Sequence, residues 1–103
     1  MMNVTRGAGG EIVIRIDGTF DPQAALRLSG RLGEVPAGAE LILDFSRARE
    51  LQDRGLAAMA GPLAGRHPLH VLGLSQHQRR LLRYLGLDLG PEVMVGADEE
   101  LFG

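Results

Sequence analysis

Few residues in this chain have the types needed for nucleophilic, acid–base or metal chemistry, and their spacing limits each of them. Ser29, Ser46 and Ser75 are the serine hydroxyls. None lies in the Gly-x-Ser-x-Gly turn that lifts a nucleophile out of a sheet, and Ser75 reads more simply as a helix cap. Asp44 and Asp53 could be neighbours in space and divide general acid and general base roles, although loop and cap are their plain readings. His67 and His70 are separated by Pro68-Leu69. The proline breaks helical spacing, and on a strand positions three apart face opposite ways. With no cysteine in the chain and no placed carboxylate, that pair does not make a metal site. Gly7-Ala8-Gly9-Gly10 precedes a strand instead of following one, so it is no dinucleotide fingerprint. A phosphate loop is excluded because the chain has no lysine. Arg79, Arg80 and Arg83 form a basic patch on one helix, with Arg79 beside Arg83. A solvated face explains it, with an acidic partner as the alternative. Without aromatic neighbours it does not point to nucleic acid. No catalytic constellation emerges, and neither a metal nor a cofactor is expected.

These residues must be positioned by a small scaffold. The 103 residues suit a single domain over 1–103, with 45% apolar and 23% charged residues and a net charge of −2. The absence of cysteine gives no sign of a disulfide-stapled secreted fold. The opening Met1-Met2-Asn3-Val4-Thr5 lacks the apolar run of a signal peptide. No apolar run approaches the ~20 residues of a membrane-spanning helix. The expectation is a cytoplasmic, non-inserted protein.

In Glu11-Ile12-Val13-Ile14-Arg15-Ile16 the isoleucines alternate with Val13 and Arg15, the period of a strand. The glycines before it predict a hairpin from a short strand at Asn3-Val4-Thr5. Asp21-Pro22 starts a helix, with Asp21 as N-cap and Pro22 at the first helical position. Ala24, Ala25, Leu28 and Leu32 form its apolar stripe, Leu26 lies off it, and Gly33 is the expected stop. The run Leu41-Ile42-Leu43 predicts a central strand covered on both faces, ending at Asp44. Leu56, Met59, Ala60, Leu63 and Ala64 make a helical stripe from near Gly55, with a kink or early end at Pro62. Residues 69–74 read as a strand, and Ser75 with Gln78 as a capping box opening a helix that Gly86 stops. Val93-Met94-Val95 reads as a last strand, and Asp98-Glu99-Glu100 as the opening of a final helical turn. The order ββαβαβαβα implies an α/β fold whose mostly parallel sheet carries one antiparallel strand, a mixed sheet of four to five strands.

Three segments taken together carry a family likeness. Gly18-Thr19-Phe20-Asp21 precedes the first helix. Leu41-Ile42-Leu43-Asp44-Phe45-Ser46 is followed at fixed distance by Gly55-Leu56-Ala57-Ala58-Met59. Val71-Leu72-Gly73-Leu74-Ser75 leads into Arg79-Arg80-Leu81-Leu82-Arg83-Tyr84-Leu85-Gly86-Leu87-Asp88. In order and spacing they resemble the STAS domain, named for sulphate transporters and anti-sigma factor antagonists, over most of the chain. The resemblance implies the same ββαβαβαβα fold. In bacterial anti-sigma factor antagonists of this family, the corresponding loop ends Asp-Ser-Ser/Thr-Gly-Leu. Its first hydroxyl residue is phosphorylated by a partner kinase that is also the anti-sigma factor. Ungapped counting from Asp44 to Gly55 puts Gln52 at the family aspartate, Asp53 at the phosphorylated residue and Arg54 at the second hydroxyl. Neither Asp53 nor Arg54 can accept a phosphate in the family's way.

Asp53 then has two compatible readings. It is a helix N-cap, worth ~1 kcal/mol over alanine, or a fixed negative charge that partly imitates a phosphate of about −1.5 to −2. The resemblance implies a non-catalytic regulatory domain that binds a protein through Gln52, Asp53, Arg54 and Gly55, with Asp21, Asp44 and Ser46 nearby. A histidine-kinase-like anti-sigma factor is the first candidate partner. The alternatives are an accessory subunit on the ATPase of a membrane lipid transporter, and a small-molecule or nucleotide-binding module. A homodimer is compatible with each.

Overall fold

The computed structural model describes residues 2–36, 38–66, 68–87 and 89. Two strands open the chain, β1 (Met2–Arg6) and β2 (Ile12–Ile16), joined as the expected hairpin with Met2 opposite Ile16 and Arg6 opposite Ile12. After them come β3 (Gly18–Phe20), α1 (Pro22–Leu32), β4 (Leu41–Asp44), β5 (Ala48–Leu51), α2 (Asp53–Leu63), β6 (Leu69–Leu72) and α3 (Gln76–Tyr84). The described strands form a mixed four-stranded sheet in the order β1-β2-β4-β6, with β2, β4 and β6 parallel. The expected strand at Val93–Val95 and the helical turn from Asp98 lie outside the described residues.

Alternation decides which side of the sheet is core. Ile12, Ile14 and Ile16 of β2, Leu41 and Leu43 of β4, and Leu69 and Val71 of β6 are buried in one cluster. The same cluster holds Ala24, Ala25, Leu28 and Leu32 of α1, Leu56, Met59, Ala60 and Leu63 of α2, and Leu82 of α3. The expectation that β4 would be covered on both faces is corrected. Ile42 is only half-buried, because the helices pack on the Leu41 and Leu43 side.

The helix ends are built by different means. Asp21 caps α1 as expected, its Oδ1 accepting from the Ala24 N–H at 2.8 Å, with Pro22 in the first turn. The expected glycine stop is not a left-handed cap, since Gly33 has φ −63°. The end is held by Arg66, whose Nη2 donates to the Leu32 carbonyl at 2.7 Å. Helix α2 begins at Asp53, two residues ahead of Gly55, and ends one residue past Pro62. At α3 the capping box forms: the Gln78 N–H donates to Ser75 Oγ and the Ser75 N–H to Gln78 Oε1. Gly86, at φ +96°, closes this helix. Its N–H reaches the Arg83 carbonyl while the Leu87 N–H reaches that of Leu82, a Schellman arrangement. Among the described residues no helix is long and apolar enough to cross a membrane.

Two short strands escape sequence patterning. β3 and β5 pair in parallel as a separate two-stranded sheet. Neither shows apolar alternation over its length. Part of the expected loop 45–54 is therefore extended backbone in a ladder, and the Gln52 N–H continues that ladder to the Phe20 carbonyl at 3.0 Å. Phe20 and Phe45, both fully buried, meet edge to face at 5.0 Å beneath it.

The burial pattern yields a direct test. Leu43 has no exposed surface, whereas Leu26 is 74% exposed on α1. Leu43→Ala is expected to cost ~2–5 kcal/mol in urea unfolding, and Leu26→Ala within about 0.5 kcal/mol of zero. Similar losses from both would show that the helix-facing side has been misplaced.

Candidate functional site

Parallel strands end at a common edge, and in open α/β sheets ligands and partners are met outside those carboxyl ends. Here β4 ends at Asp44 and β6 at Leu72, directly opposite each other in the ladder. Asp44 turns back on the loop that follows it. Its Oδ1 accepts from the Ser46 N–H at 2.9 Å and from the Ser46 hydroxyl at 2.6 Å. Its Oδ2 faces Arg15 Nε at 3.5 Å. Burial raises the Asp44 carboxyl. The hydrogen bonds from Ser46, side chain first and then backbone, together with Arg15 outweigh it and hold the group below its ordinary value. The Ser46 hydroxyl thus donates to Asp44 and closes the turn that follows β4.

Two glycines fit this loop and α2 against their neighbours. Gly73 follows β6 at φ +87°, and a Cβ there would lie 2.5 Å from the Ser46 nitrogen. Gly55 is buried in the first turn of α2, where a Cβ would lie 2.6 Å from the Phe20 carbonyl oxygen and 3.0 Å from the Asp21 Cα. These approaches bring residues 45–46, 52–55, 73–75 and Asp21 to one end of the molecule. The expectation that Asp21 lies near the α2 end is met, although its carboxylate is engaged in capping α1.

The cap reading of Asp53 is corrected. Gln52 occupies the N-cap, with no side-chain cap hydrogen bond, and Asp53 is the first helical residue. Its carboxylate is exposed and points across to α3, where Oδ2 meets His77 Nε2 at 3.2 Å. Arg54 beside it is exposed, and the Gln52 side chain is half-buried. Asp44 and Asp53 therefore have separate partners and do not form a shared carboxylate pair.

Sequence reading missed His77, which it absorbed into the capping box. No local signal marks the contact, because 24 residues separate the two side chains. Only the adjacency of β4 and β6 brings their following segments together. The solvated-patch reading of the arginines is also corrected in part. Arg79 is buried, and its Nη1 donates to the Val71 carbonyl at 3.1 Å, while Arg80 and Arg83 are exposed. His70 Nε2 meets Glu40 Oε2 at 2.9 Å, and His67 lies outside the described residues. No group of three or more potential metal ligands occurs among the described residues.

Comparison with known proteins follows the same geometry. The sequence model of the family described as "Mlab, STAS domain" matches residues 3–96. No curated protein matches the chain in sequence. Among solved structures, the anti-sigma factor antagonist SpoIIAA in its unphosphorylated form superimposes with a TM-score of 0.64 at 15% identity, covering 100% of this chain and 99% of that one. The Bacillus cell fate determinant SpoIIAA in its phosphorylated form gives 0.63 at 17% identity, covering 98% and 99%. A serine-to-glutamate variant of RsbS from Moorella thermoacetica gives 0.60 at 20% identity, covering 95% and 92%. The expected fold is shared with all three.

Two outcomes test this geometry. Gly55→Ala drives a methyl group into the Phe20 carbonyl and is expected to lower stability by about 1–3 kcal/mol, the usual cost of overpacking; an unchanged urea midpoint would mean the α2 end sits more loosely. Asp44 titrates lower in the folded chain than its ordinary 3.8. Its contribution to stability is therefore complete above that value and is lost as pH falls through the lower, folded one. In urea melts from about pH 5 down to about pH 2.5, Asp44→Asn should flatten the acid limb, and Ser46→Ala should flatten it partly. An acid limb unaltered by Asp44→Asn contradicts the clasp.

Proposed function

We propose that this chain, which belongs to the STAS domain family described as "Mlab, STAS domain", is a single-domain, non-catalytic regulatory module. It docks on a protein partner through residues 45–54 and the exposed face of α2. The observation that carries the reading is the placement of Asp53. It stands at the first position of α2, exposed and paired with His77, where ungapped counting against the family's loop puts the phosphorylated residue. Unsatisfied N–H groups and the helix dipole favour negative charge there. Asp53 supplies one such charge permanently, less than the −1.5 to −2 of a phosphate, roughly. SpoIIAA, solved with and without phosphate, and the serine-to-glutamate RsbS variant support the view that this fold tolerates such changes of charge.

Beside Asp53, α2 exposes Arg54, Ala57, Ala58 and Gly61. A partner packing on the three small residues orders few long side chains, which keeps the entropic cost of docking low. On this reading the loop is not switched by phosphorylation. The partner is a histidine-kinase-like anti-sigma factor. The fixed charge also favours a second reading, in which a permanently docked accessory subunit sits on the ATPase of a membrane lipid transporter.

Capture from cell lysate tests the proposal, using a photo-crosslinking residue at position 57 of α2 and a control at position 26 of α1. A kinase-like anti-sigma factor or a transporter ATPase is expected at position 57, and Ala58→Arg, on the same exposed face, should abolish its capture. Stronger recovery of the kinase by Asp53→Ser indicates a locked antagonist, and equal recovery of an ATPase indicates the accessory subunit. Capture from position 26 that ignores Ala58→Arg, or phosphate found within residues 50–56, would sink the proposal.

A further inference from the structure

We propose that the open margin of β1 is a docking strand for an extended peptide of a partner protein in which an acidic residue stands two positions from an apolar one. This surface is independent of the α2 end. Among the described residues β1 lies at one margin of the four-stranded sheet, and four of its five residues are exposed. The Gly7 N–H donates to the Glu11 carbonyl at 2.8 Å, continuing the register that sets Thr5 opposite Val13 and Asn3 opposite Arg15. In an antiparallel ladder, residues bonded to the partner strand alternate with residues whose backbone groups point away. Gly7, Thr5 and Asn3 therefore turn their backbone groups to β2. Met2, Val4 and Arg6 turn theirs to the open margin. A margin of this kind is a template for another strand. β1 carries no proline, and its register is unbroken.

The surroundings of the margin select the peptide. Met2, Val4 and Arg6 share a face with Ile16, Ile14 and Ile12, the helix-covered face. There a depression of about 220 Å³ opens between β1 and the end of α1, with Val4, Ile12 and Val35 as its apolar lining and Arg6, Arg31 and Glu34 as its charged groups. Neither Arg6 nor Arg31 has an ion-pair partner among the described residues. The carbonyl end of α1 would repel an anion. Arg66 offsets it, donating to the Leu32 carbonyl at 2.7 Å and to that of Val35 at 3.4 Å.

In an added strand, the residues opposite Val4 and Arg6 project their side chains to this same face, two positions apart. An apolar side chain packs on Val4 and Val35, and a carboxylate two positions along meets the guanidinium groups. Charge selects a peptide over a second copy, because β1 itself offers only Arg6 and no carboxylate.

The probe is a capped heptapeptide, Thr-Val-Thr-Glu-Thr-Val-Thr, whose valine and glutamate stand two positions apart on one face, titrated into isotope-labelled protein and followed by NMR, with the peptide carrying lysine in place of glutamate as control. Amide shifts are expected at residues 4–6 and at Val35. Binding should weaken at least about tenfold, or ~1.4 kcal/mol, for the lysine peptide and in Arg31→Glu. Val4→Pro removes an outward N–H without breaking a bond to β2 and should abolish binding. Its circular dichroism reports whether it folds, and Arg31→Glu, on an exposed helix surface, keeps the test decisive if it does not. Three outcomes overturn the proposal: no shift in β1 at millimolar peptide, equal binding of the lysine peptide, or a dimer dissolved by Val4→Pro that the peptide does not disturb. The last assigns the edge to a second copy.

Discussion

The parallel register of β2, β4 and β6 is the constraint on which the candidate site depends. Because the strands run the same way and pair row for row, Arg15, Asp44 and Leu72 end in one line. The segments that leave β4 and β6 must then stack on one another at a single edge. There is no room for a side chain between them, and Gly73 supplies both the missing Cβ and the positive φ that the turn requires. The apolar face beneath fixes the register, since a slip of one residue would turn Leu41, Leu43, Leu69 and Val71 away from the helices.

On that edge the two aspartates have opposite roles. Asp44 is turned inward, satisfied by Ser46 and Arg15, and its charge is used to shape the loop. Asp53 is turned outward, and its contact with His77 is between two exposed side chains. Exposed pairs of this kind contribute roughly 0–1 kcal/mol. Loss of the Asp53–His77 contact is therefore of small cost to the fold.

What was legible in the sequence follows from the range of each signal. Alternation in Ile12–Ile16 and the stripes of α1 and α2 are local, repeated patterns, and they placed the sheet, the helices and the core face. Asp21-Pro22 and Ser75 with Gln78 are local caps, and both form. The pair β3–β5 has no pattern of its own, because each strand is three or four residues long and exists through the other. The burial of Arg79 was hidden because an arginine head reaching a strand carbonyl looks, in sequence, like any surface charge on a helix. In the candidate site, the residues of the 52–55 segment were expected from family likeness. Their geometry was not, since His77, Phe20 and Ser46 reach them only through the fold.

The three described helices differ at their N-termini in a way that bears on the site. Helices α1 and α3 are capped by Asp21 and Ser75, each accepting from a first-turn N–H. Helix α2 starts on Gln52 with no side-chain cap, although a good capping residue stands one position later. A missing cap costs about 0.5–2 kcal/mol. Gly55, two residues after Asp53, sets the backbone of α2 against Phe20 and Asp21, where a Cβ would lie 2.6 Å from the Phe20 carbonyl oxygen. The first N–H groups of α2 lack a side-chain cap, and the carboxylate that could have capped them faces solvent and His77. Breaks in local consistency of this kind concentrate at functional sites, and among the three described helices only α2 starts without a side-chain cap.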